Sequence, residues 1–531
     1  MSGPIDMIWL GGPAHAPAWS VGETWSVAPI PSAIGALIQQ KLPTSEALAW
    51  LFWHPDAGLP DPTVVLDVVT RPGNLWHAGL NLGMQNQPGL IDFVMGTWMF
   101  SCDPDPNIEA TSWRLSLRAC LVQVEVLREL GGINPAFTTL EAAGLDMGHR
   151  YLTRGALMRH IPQLVLAPRA STVEARPALA VRYPLPFEDE LRFVRCRFSQ
   201  FWANWALMRA VLSGYVSPRS AWRAWSHVRS APRPPEPSPY RHPVVPSATA
   251  GAGQAAETPP GVQARVTVLV PTVDRYPYLR VLLKQLRQQT VAPHEIIVID
   301  QTEVDRRDVE LSRDFSDLPL KWIYLDQAGQ CSSRNTGLRA STGDYILFLD
   351  DDDEVPVDLI EAHLRRLDTF GVNVSSGVAD EVGAGRLPDH FKYTRSSDVF
   401  PTNNTLIRRE ILDKSGLFDL AYEKMSRADG DLGMRLYLSG AFMLLSPEIS
   451  VLHHHAPRGG LRKHKARVVT YASSRHSLVQ RQLPSVSEIY LAMRYFTPRQ
   501  VRESLWINAF STLSARGSKG YRLLKAMMGC A

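Results

Sequence analysis

The chain has 531 residues, of which 45% are hydrophobic and 20% are charged. This composition excludes an intrinsically disordered protein, and the length predicts two or three domains. The net charge of +4 at pH 7 suits an anionic small molecule or an acidic membrane surface, but it is too small to indicate nucleic-acid binding.

The five cysteines have no paired spacing, which favours a reduced chain. The N-terminus does not resemble a signal peptide, and no run approaches the roughly 20 apolar residues of a spanning helix. We therefore predict a cytoplasmic protein and leave open a peripheral contact at the inner face of the membrane. The sequence makes no prediction of the oligomeric state.

A helical region precedes a proline-rich stretch. Apolar residues recur at steps of three and four between Leu191 and Leu212, which predicts one amphipathic helix. Ser217 and Pro218 predict the N-cap and first residue of another helix. Arginine and tryptophan are frequent here, so the region either packs on the preceding domain or contacts a membrane surface. The stretch 231–262 is rich in Pro, Ala and Gly and is predicted to be a linker.

Beyond this stretch, apolar strands alternate with helices. The segments ARVTVLVP, EIIVID and DYILFLD predict buried strands, and LRVLLKQLRQQ predicts a helix. We expect an α/β fold with a mainly parallel sheet flanked by helices. Ligands in such folds bind beyond the carboxyl ends of the strands, where polar residues collect in this region.

An internal repeat is visible at a constant, ungapped offset of 285 positions. The pattern predicts a duplicated unit, with convergent α/β patterning as the alternative. A second parallel, at a different offset, joins Leu51–Pro60 to Leu347–Pro356. The identical pairs at the constant offset are Leu121 and Leu406, Glu125 and Glu410, Leu127 and Leu412, Gly131 and Gly416, Asp146 and Asp431, Gly148 and Gly433, Arg150 and Arg435, Gly155 and Gly440, and Pro162 and Pro447.

Four adjacent carboxylates, Asp350–Asp353, directly follow the apolar strand YILFL. Such charges repel one another strongly unless a cation neutralises them. Hard oxygen ligands favour Mg²⁺ or Mn²⁺, and Mg²⁺ commonly bridges carboxylates to substrate phosphates. The run is therefore predicted to bind a divalent metal, and the alternative is a solvated acidic turn.

The segments VTVLVPTVDR, EIIVIDQT, SSRNTGLRASTGDYILFLDDDD and RADGDLGMRL occur in the order typical of family 2 glycosyltransferases. The region from about Val266 to His455 resembles this family, which has a GT-A fold and uses nucleotide-diphosphate sugars as donors. The resemblance implies an inverting, metal-dependent glycosyltransferase. Its acceptor would be a hydroxyl group of a carbohydrate, a lipid-linked or another molecule, in the synthesis of cell-surface polysaccharide or glycoconjugates.

The resemblance also implies how the nucleotide is held. Pro271 and Thr272 would lie along the base, and Asp300 would accept a hydrogen bond from the base imide. Two departures from the family pattern, Val273 in place of an aromatic residue and Gln301 in place of an acid, leave the identity of the base open. The residues implied to contact the nucleotide or its diphosphate are Pro271, Thr272, Asp300, Arg334, Asp350, Asp351 and Arg462.

The metal ligands implied by the resemblance are Asp352, as the most direct one, and Asp350. Some related transferases take a histidine as third ligand at the end of a strand, where this chain has His453 to His455. His453 is the first choice and His455 the second, since alternate residues of an extended segment share a face. Imidazole can coordinate Mn²⁺-like ions.

Asp429 stands in Ala-Asp-Gly-Asp-Leu, where the family usually has Glu-Asp-x-Asp-Leu. The resemblance implies that it is the catalytic base, which removes the proton of the acceptor hydroxyl. An ordinary helix N-cap is the alternative. Asp431 is expected to cap or orient the helix that follows.

The first copy lacks these groups, because Gly144 stands in the place of Asp429 and His54-Pro55-Asp56 in the place of Asp350–Asp352. About fifty residues precede Asp56, which we expect to be too few for two nucleotide-binding strands. We therefore predict a degenerate, truncated copy (1–170), a helical extension (171–230), the linker (231–262), the catalytic domain (263–465) and a C-terminal helical region (466–531).

Two other functions remain open at this point. A nucleotidyltransferase also pairs an α/β sheet with acids and a metal, although it usually has a glycine-rich loop after its first strand. An inactive carbohydrate-binding or assembly module would share the fold without the chemistry.

Overall fold

The computed structural model describes residues 4–165, 184–242, 264–382, 387–456 and 484–511, and a few positions between 518 and 527. The chain divides into two compact units. The first comprises Met1–Arg241 and Phe496–Ile507, and the second comprises His242–Tyr495 and Asn508–Ala531. Among the described residues, no helix combines the length and the apolar character needed to cross a bilayer.

The first unit contains a sheet of six strands in the order β2-β1-β3-β5-β4-β6. Its strands are β1 (Ile5–Trp9), β2 (Thr24–Ser26), β3 (Ala49–Trp53), β4 (Leu75–His77), β5 (Ala119–Gln123) and β6 (Met158–His160). Its helices are α1 (Pro31–Lys41), α2 (Pro62–Thr70), α3 (Asp92–Met95), α4 (Val124–Leu130), α5 (Leu140–Thr153), α6 (Phe187–Arg197), α7 (Gln200–Leu212) and α8 (Pro218–Val228).

Large aromatic side chains fill the core of the first unit. Strands β1 and β3 are buried along their whole length, as expected for central strands covered on both faces. Trp9, Trp53 and Trp76 lie in one apolar cluster with Val65 and Val68 of α2. The core of this unit therefore lies between the sheet and the helices that connect its strands.

The single helix predicted from Leu191 to Leu212 is wrong, because the chain forms two helices with a break at Phe198–Ser199. Ser199 is extended and its hydroxyl accepts a hydrogen bond from the backbone N–H of Trp202, so it caps the start of α7. The predicted cap of α8 is confirmed, since the Ser217 hydroxyl accepts from the N–H of Ser220 and Pro218 is the first helical residue.

The second unit contains nine strands, in the part of the chain that is described, in the order β11-β15-β12-β14-β10-β7-β8-β9 with β13 beside β15. The strands are β7 (Val266–Thr272), β8 (Glu295–Asp300), β9 (Leu320–Tyr324), β10 (Tyr345–Phe348), β11 (Asp353–Glu354), β12 (Val374–Glu381), β13 (Arg395–Ser396), β14 (Thr405–Arg408) and β15 (Met443–His453). The helices before β15 are α9 (Tyr276–Leu286), α10 (Leu311–Asp314), α11 (Gln330–Ala340), α12 (Leu359–Phe370), α13 (Ile411–Ser415) and α14 (Ala428–Leu438). After β15 the structure describes α15 (Val486–Tyr495), which belongs to the second unit, and α16 (Pro498–Ser511), most of which belongs to the first unit.

The prediction of a mainly parallel sheet needs correction, since both sheets are mixed. Strands β7, β8, β9 and β10 pair in parallel, but β14 lies antiparallel between β10 and β12. No helix is described between β12 and β14 apart from one short 3-10 turn. An antiparallel neighbour needs no helical crossover, so this strand can enter the sheet in the opposite direction.

The six strands of the first sheet match six described strands of the second, β8-β7-β10-β14-β12-β15, in their order, and the matching pairs share registers. Leu51 on β3 pairs with Leu121 on β5. Leu347 on β10 pairs with Leu406 on β14 in the same way. The offset of 285 positions also holds where β4 pairs with β6 and β12 pairs with β15. Arg159 on β6 and Leu444 on β15 occupy the same position in these two parallel pairings.

The expectation that the first unit has no room for two strands before Asp56 is wrong. Strands β1 and β2 precede β3 and pair in parallel, as β7 and β8 do beside β10. They fit into fifty residues because no α-helix connects β1 to β2, whereas α9 connects β7 to β8. The first unit is therefore shortened in its connections rather than in these strands.

The start of the predicted linker packs on the first unit. Tyr240 is buried, and its backbone N–H donates to the backbone oxygen of Arg154. Glu236 forms ion pairs with Arg154 and Arg197. The remainder of the predicted linker, from residue 243 onward, lies outside the described residues.

Candidate active site

The four acids lie where β10 ends, at the carboxyl edge of the parallel part of the second sheet. Asp351, Asp352 and Asp353 are buried, and Asp350 is half-buried. The Asp353 carboxylate accepts a hydrogen bond from the N–H of Asp350 at 2.8 Å, which closes the turn after the strand. The run is therefore folded into the protein and is not a solvated turn.

Three potential metal ligands meet at this turn. Single ligand atoms of Asp350, Asp352 and His453 all lie within 4.8 Å of one another. The Asp352 Oδ1 and His453 Nε2 atoms are 3.5 Å apart, and the buried His453 Nδ1 has no hydrogen-bond partner among the described residues. Two carboxylates and one imidazole are a ligand set that suits Mn²⁺ or Mg²⁺, so the residues fit the predicted ion.

The three consecutive histidines have different surroundings. His453 faces the acids, whereas His454 contacts Glu354. His455 lies 3.2 Å from the Glu381 carboxylate, and its ring centroid is 4.3 Å from that of His453. Glu381, His453 and His455 thus form a second group of possible ligands that shares His453 with the first.

An arginine to which the sequence analysis assigned no function is held between the acids. Arg275 Nη1 donates to Asp351 at 3.0 Å and to Asp352 at 2.9 Å. The Thr272 hydroxyl donates to Asp351 at 2.7 Å, so this threonine contacts the acid turn. Arg275 is the last residue of the segment VTVLVPTVDR, but its position there does not indicate a contact with acids more than seventy positions away.

Burial and neighbouring charges shift the pKa values of the acids in opposite directions. Burial raises the pKa of Asp351 to about 7, although Arg275 acts in the opposite direction. Burial also opposes ionisation of Asp352, but the hydrogen bond with His453 and the charge of Arg275 outweigh it and hold its pKa below the usual range. Asp352 in turn raises the pKa of His453 despite burial. Because a metal-bound imidazole must be neutral, metal binding here is expected to release a proton.

Asp300 lies at the end of β8 and is fully buried. Its carboxylate accepts hydrogen bonds from the Tyr276 hydroxyl at 2.8 Å, the Trp322 indole at 3.2 Å and the Thr302 N–H at 3.0 Å. A carboxylate has about four acceptor positions, so one remains for the predicted contact to a base. Pro271 is on the neighbouring strand β7, paired with Ile299.

Arg334 reaches the acid turn from α11. Its Nη2 donates to Asp350 at 2.9 Å and to the Thr402 hydroxyl at 3.3 Å. Glu423 accepts hydrogen bonds from the first N–H groups of α11, at Cys331 and Ser332, and so compensates the positive end of the helix. The segment before α14 is thereby attached to the helix that carries Arg334.

Asp429 and Asp431 occupy different environments in the first turn of α14. Asp429 is exposed, and it makes no hydrogen bond or ion pair with any residue that the structure describes. Asp431 is fully buried and contacts the guanidinium groups of Arg435 and Arg494 and the hydroxyl of Tyr495. The carboxylate of Asp429 is therefore available to a ligand, and that of Asp431 is fully engaged.

No hydrogen bond or ion pair among the described residues joins Asp429 to the acid turn. Arg462, the predicted diphosphate contact, lies outside the described residues. The structure thus brings together Thr272, Arg334, His453 and the four acids. It leaves Asp300 and Asp429 as separate groups of the same unit.

The first unit has different chemistry in the equivalent places. A Cβ atom on Gly144 would lie 3.0 Å from the backbone oxygen of Leu115, so a segment of chain fills the space beside the Asp429 equivalent. In the place of the acid turn, Arg118 donates to Asp56, Glu141 and His54. This unit accordingly lacks both the acid cluster and the free carboxylate in its described residues.

Comparison with known proteins assigns the central part of the chain. The sequence model of the family "Glycosyl transferase family 2" matches residues 267–427, which include the acid turn and end two residues before Asp429. Glycosyltransferase GlyA of Streptococcus pneumoniae is 30% identical over 118 residues, which is 22% of this chain and 17% of the relative. The uncharacterized glycosyltransferase YwdF of Bacillus subtilis is 28% identical over 168 residues, or 29% of this chain and 62% of the relative. O-antigen biosynthesis protein RfbC of Myxococcus xanthus is 24% identical over 222 residues, or 36% of this chain and 17% of the relative.

This chain thus spans less than two thirds of the length of these relatives. Among solved structures, the mannosyltransferase PcManGT from Pyrobaculum calidifontis in complex with GDP-Man and Mn²⁺ gives a TM-score of 0.35 at 18% identity, with 51% of this chain and 81% of that chain covered. S. aureus TarS 1–349 in complex with UDP gives 0.34 at 20% identity, with 46% and 72% covered. Similarity at this level does not establish a shared ligand. The family match does establish that residues 267–427 form a glycosyltransferase family 2 domain.

Proposed function

We propose that the second unit is an inverting, metal-dependent glycosyltransferase of the GT-A type, which moves a sugar from a nucleotide-diphosphate sugar to an acceptor hydroxyl. The observation that carries the proposal is the meeting of Asp350, Asp352 and His453 within 4.8 Å at the end of a central strand of the family 2 domain. The acceptor is a carbohydrate, a lipid-linked or another hydroxyl compound used in cell-surface polysaccharide or glycoconjugate synthesis. The relative that functions in O-antigen biosynthesis supports this last part.

Asp350, Asp352 and His453 would hold the Mg²⁺ or Mn²⁺ ion. The bound ion would neutralise negative charge on the diphosphate leaving group. Arg275 and Arg334 already lie at the acids, and each carries guanidinium donors that suit phosphate oxygens as well as carboxylates. We assign both arginines to the diphosphate, together with Arg462.

Asp429 is the proposed general base. It takes the proton of the acceptor hydroxyl as the acceptor oxygen forms a bond to the anomeric carbon. The bond from that carbon to the diphosphate oxygen breaks, and its electron pair leaves with the diphosphate. Because a single displacement occurs from the opposite face, the configuration at the anomeric carbon inverts. Asp429 is exposed and has no hydrogen bond or ion pair with a described residue, which supports this role.

The first unit is proposed to be a diverged copy of the second that does not catalyse transfer. The shared strand order and registers support a common origin. The backbone that fills the space beside Gly144 and the ion pairs of Arg118 support the loss of chemistry. We propose that the chain works in a reducing, cytoplasmic compartment, and the four described cysteines, which form no disulfide with one another, are consistent with this.

The proposal is tested by incubating the full chain with a panel of nucleotide-diphosphate sugars and measuring release of the nucleotide with Mn²⁺, with Mg²⁺ and with a chelator. We expect one or a few donors to be hydrolysed slowly in a metal-dependent manner. Absence of both turnover and metal-dependent nucleotide binding would favour an inactive carbohydrate-binding or assembly module. Release of inorganic pyrophosphate from a nucleoside triphosphate would favour a nucleotidyltransferase.

A further inference from the structure

A 38-residue part of the first unit, from Phe198 to Pro235, contains no aspartate or glutamate. The same segment contains five arginines and four tryptophans. It forms α7, α8 and the residues that follow them. Arg209 and Arg233 pair with carboxylates from outside the segment. The other three arginines, Arg219, Arg223 and Arg229, form no ion pair with any residue that the structure describes.

Helix α7 presents an apolar stripe to solvent. Phe201 and Leu212 are each 69% exposed, and Met208 is 44% exposed. At 3.6 residues per turn these three residues lie within about 40° of one another around the helix axis. The helix is attached through other side chains, since Ala203 and Ala206 are buried. The exposed stripe is therefore not needed to hold α7 in place.

Helix α8 continues this surface with aromatic and basic side chains. Trp222 is 68% exposed and stacks on Trp225 with the ring centroids 5.3 Å apart. The guanidinium of Arg229 lies 4.6 Å from the centre of the Trp225 ring. The Trp225 indole N–H contacts the Asn204 side chain of α7 at 3.4 Å, which joins the two helices into one surface.

The exposed apolar, aromatic and basic side chains of α7 and α8 form one surface, which we call the aromatic–basic surface. Its basic members have no ion pair with any residue that the structure describes, and the nearby carboxylate of Glu188 is occupied by Arg192 and His227. The buried Glu503 is paired with Arg209. The members of the surface are Phe201, Met208, Leu212, Arg219, Trp222, Arg223, Trp225 and Arg229.

We propose that the aromatic–basic surface docks on an anionic phospholipid bilayer. Tryptophan and other apolar side chains enter the boundary between headgroups and acyl chains, and arginines remain at the phosphate level. The absence of acids removes the repulsion that an anionic surface would otherwise exert. A single-stranded nucleic acid fits less well, because the aliphatic side chains of Met208 and Leu212 offer no ring on which a base could stack. The proposal does not depend on the transferase activity.

The test uses the full chain and co-sedimentation with vesicles of phosphatidylcholine, with and without added phosphatidylglycerol. We expect binding only to the anionic vesicles, and weaker binding at higher salt. Replacing Arg219→Gln and Arg223→Gln together should lower the partition coefficient about 25-fold, on the basis of about fivefold per arginine. Replacing Phe201→Ser and Trp222→Ser together should lower it at least about tenfold. All four side chains are exposed, so the thermal unfolding temperature should stay unchanged.

A matched control removes two exposed arginines from the second unit, with Arg313→Gln and Arg339→Gln. This variant has the same net charge as the variant of α8 and should bind vesicles as the wild type does. Equal binding to neutral and anionic vesicles, or equal loss in the control, would overturn the proposal. It would also be overturned if the surface variants abolished self-association or oligonucleotide binding while leaving the vesicle partition unchanged.

Discussion

Asp429 and Asp431 of α14 allow a direct test of the proposed base, because they are two residues apart and differ in exposure and in their contacts. Asp429→Asn removes a proton acceptor that is exposed and that contacts no charged or polar side chain in the described part of the chain. We expect the free energy of unfolding to change by less than about 0.5 kcal/mol, as for a surface substitution. Donor affinity should be retained. Transfer should fall by about 10²- to 10⁴-fold, the usual contribution of a general base, which corresponds to about 3–5 kcal/mol on the activation barrier.

Asp431→Asn is the matched control. Its carboxylate is fully buried and contacts Arg435, Arg494 and Tyr495. Breaking a buried ion pair costs about 3–5 kcal/mol, and we take the lower end because Arg494 is partly exposed. At about 2–4 °C per kcal/mol for a unit of this size, the unfolding temperature should fall by about 6–12 °C.

The two variants are compared by differential scanning calorimetry and by single-turnover transfer with the donor identified in the panel. The reasoning fails if Asp429→Asn transfers sugar near the wild-type rate, since another group would then be the base. It also fails if Asp429→Asn unfolds as early as Asp431→Asn. That result would mean that Asp429 has a structural function that its exposed position does not reveal.

Three further predictions concern the metal site, a buried acid and the packing of the first unit. Asp352→Ala should abolish the Mn²⁺-dependent binding of UDP in calorimetry, and unchanged affinity would contradict its assignment as a ligand. Burial raises the pKa of Glu190 to about 7 from an ordinary value of 4.5, so between these pH values the folded state keeps a proton that the unfolded state releases. The free energy of unfolding should therefore fall by about 3 kcal/mol between about pH 4.5 and pH 7. Urea unfolding of Glu190→Gln across the same range should show no such fall. Gly148→Ala should lower the free energy of unfolding by about 1–3 kcal/mol or more, because the new Cβ would lie 2.2 Å from the backbone oxygen of Trp113. Gly12→Ala is the control, since there is open space around Gly12, and it should leave the free energy of unfolding unchanged.

The apolar runs and the acid turn could be predicted from the sequence because their determinants are local. The predicted strand EIIVID coincides with β8, and the predicted strand DYILFLD contains β10, since a continuous apolar run bounded by polar residues predicts a buried strand. The cap at Ser217 follows from two adjacent residues. The carboxylates Asp350–Asp353 also lie at the strand end, where the alternation of elements placed them.

The contacts that the sequence did not predict join residues far apart in the chain. Arg275 is 76 positions from Asp351, and Tyr276 and Trp322 reach Asp300 from two different elements. The periodicity of apolar residues within a short segment does not predict contacts of this kind. The break between α6 and α7 was missed for another reason, because the apolar pattern continues through Phe198 and does not register a change of backbone direction.

The shared registers of the two sheets have a consequence for folding of the chain. Two similar units in one polypeptide can exchange strands during folding, and inter-domain misassembly is a known failure of such arrangements. Here β3 and β10 could each offer the same pairing edge to β5 or β14 while the chain is still incomplete. Their side chains differ, since Trp50 of β3 corresponds to Ile346 of β10, and Trp53 corresponds to Leu349, directly after β10. Close packing penalises the wrong pairing, because the bulky indoles of one unit do not fit the core built for the other. We therefore expect the different sizes of the core side chains to disfavour misfolding, and chains in which the strand sequences of the two units are made more alike should refold with lower yield.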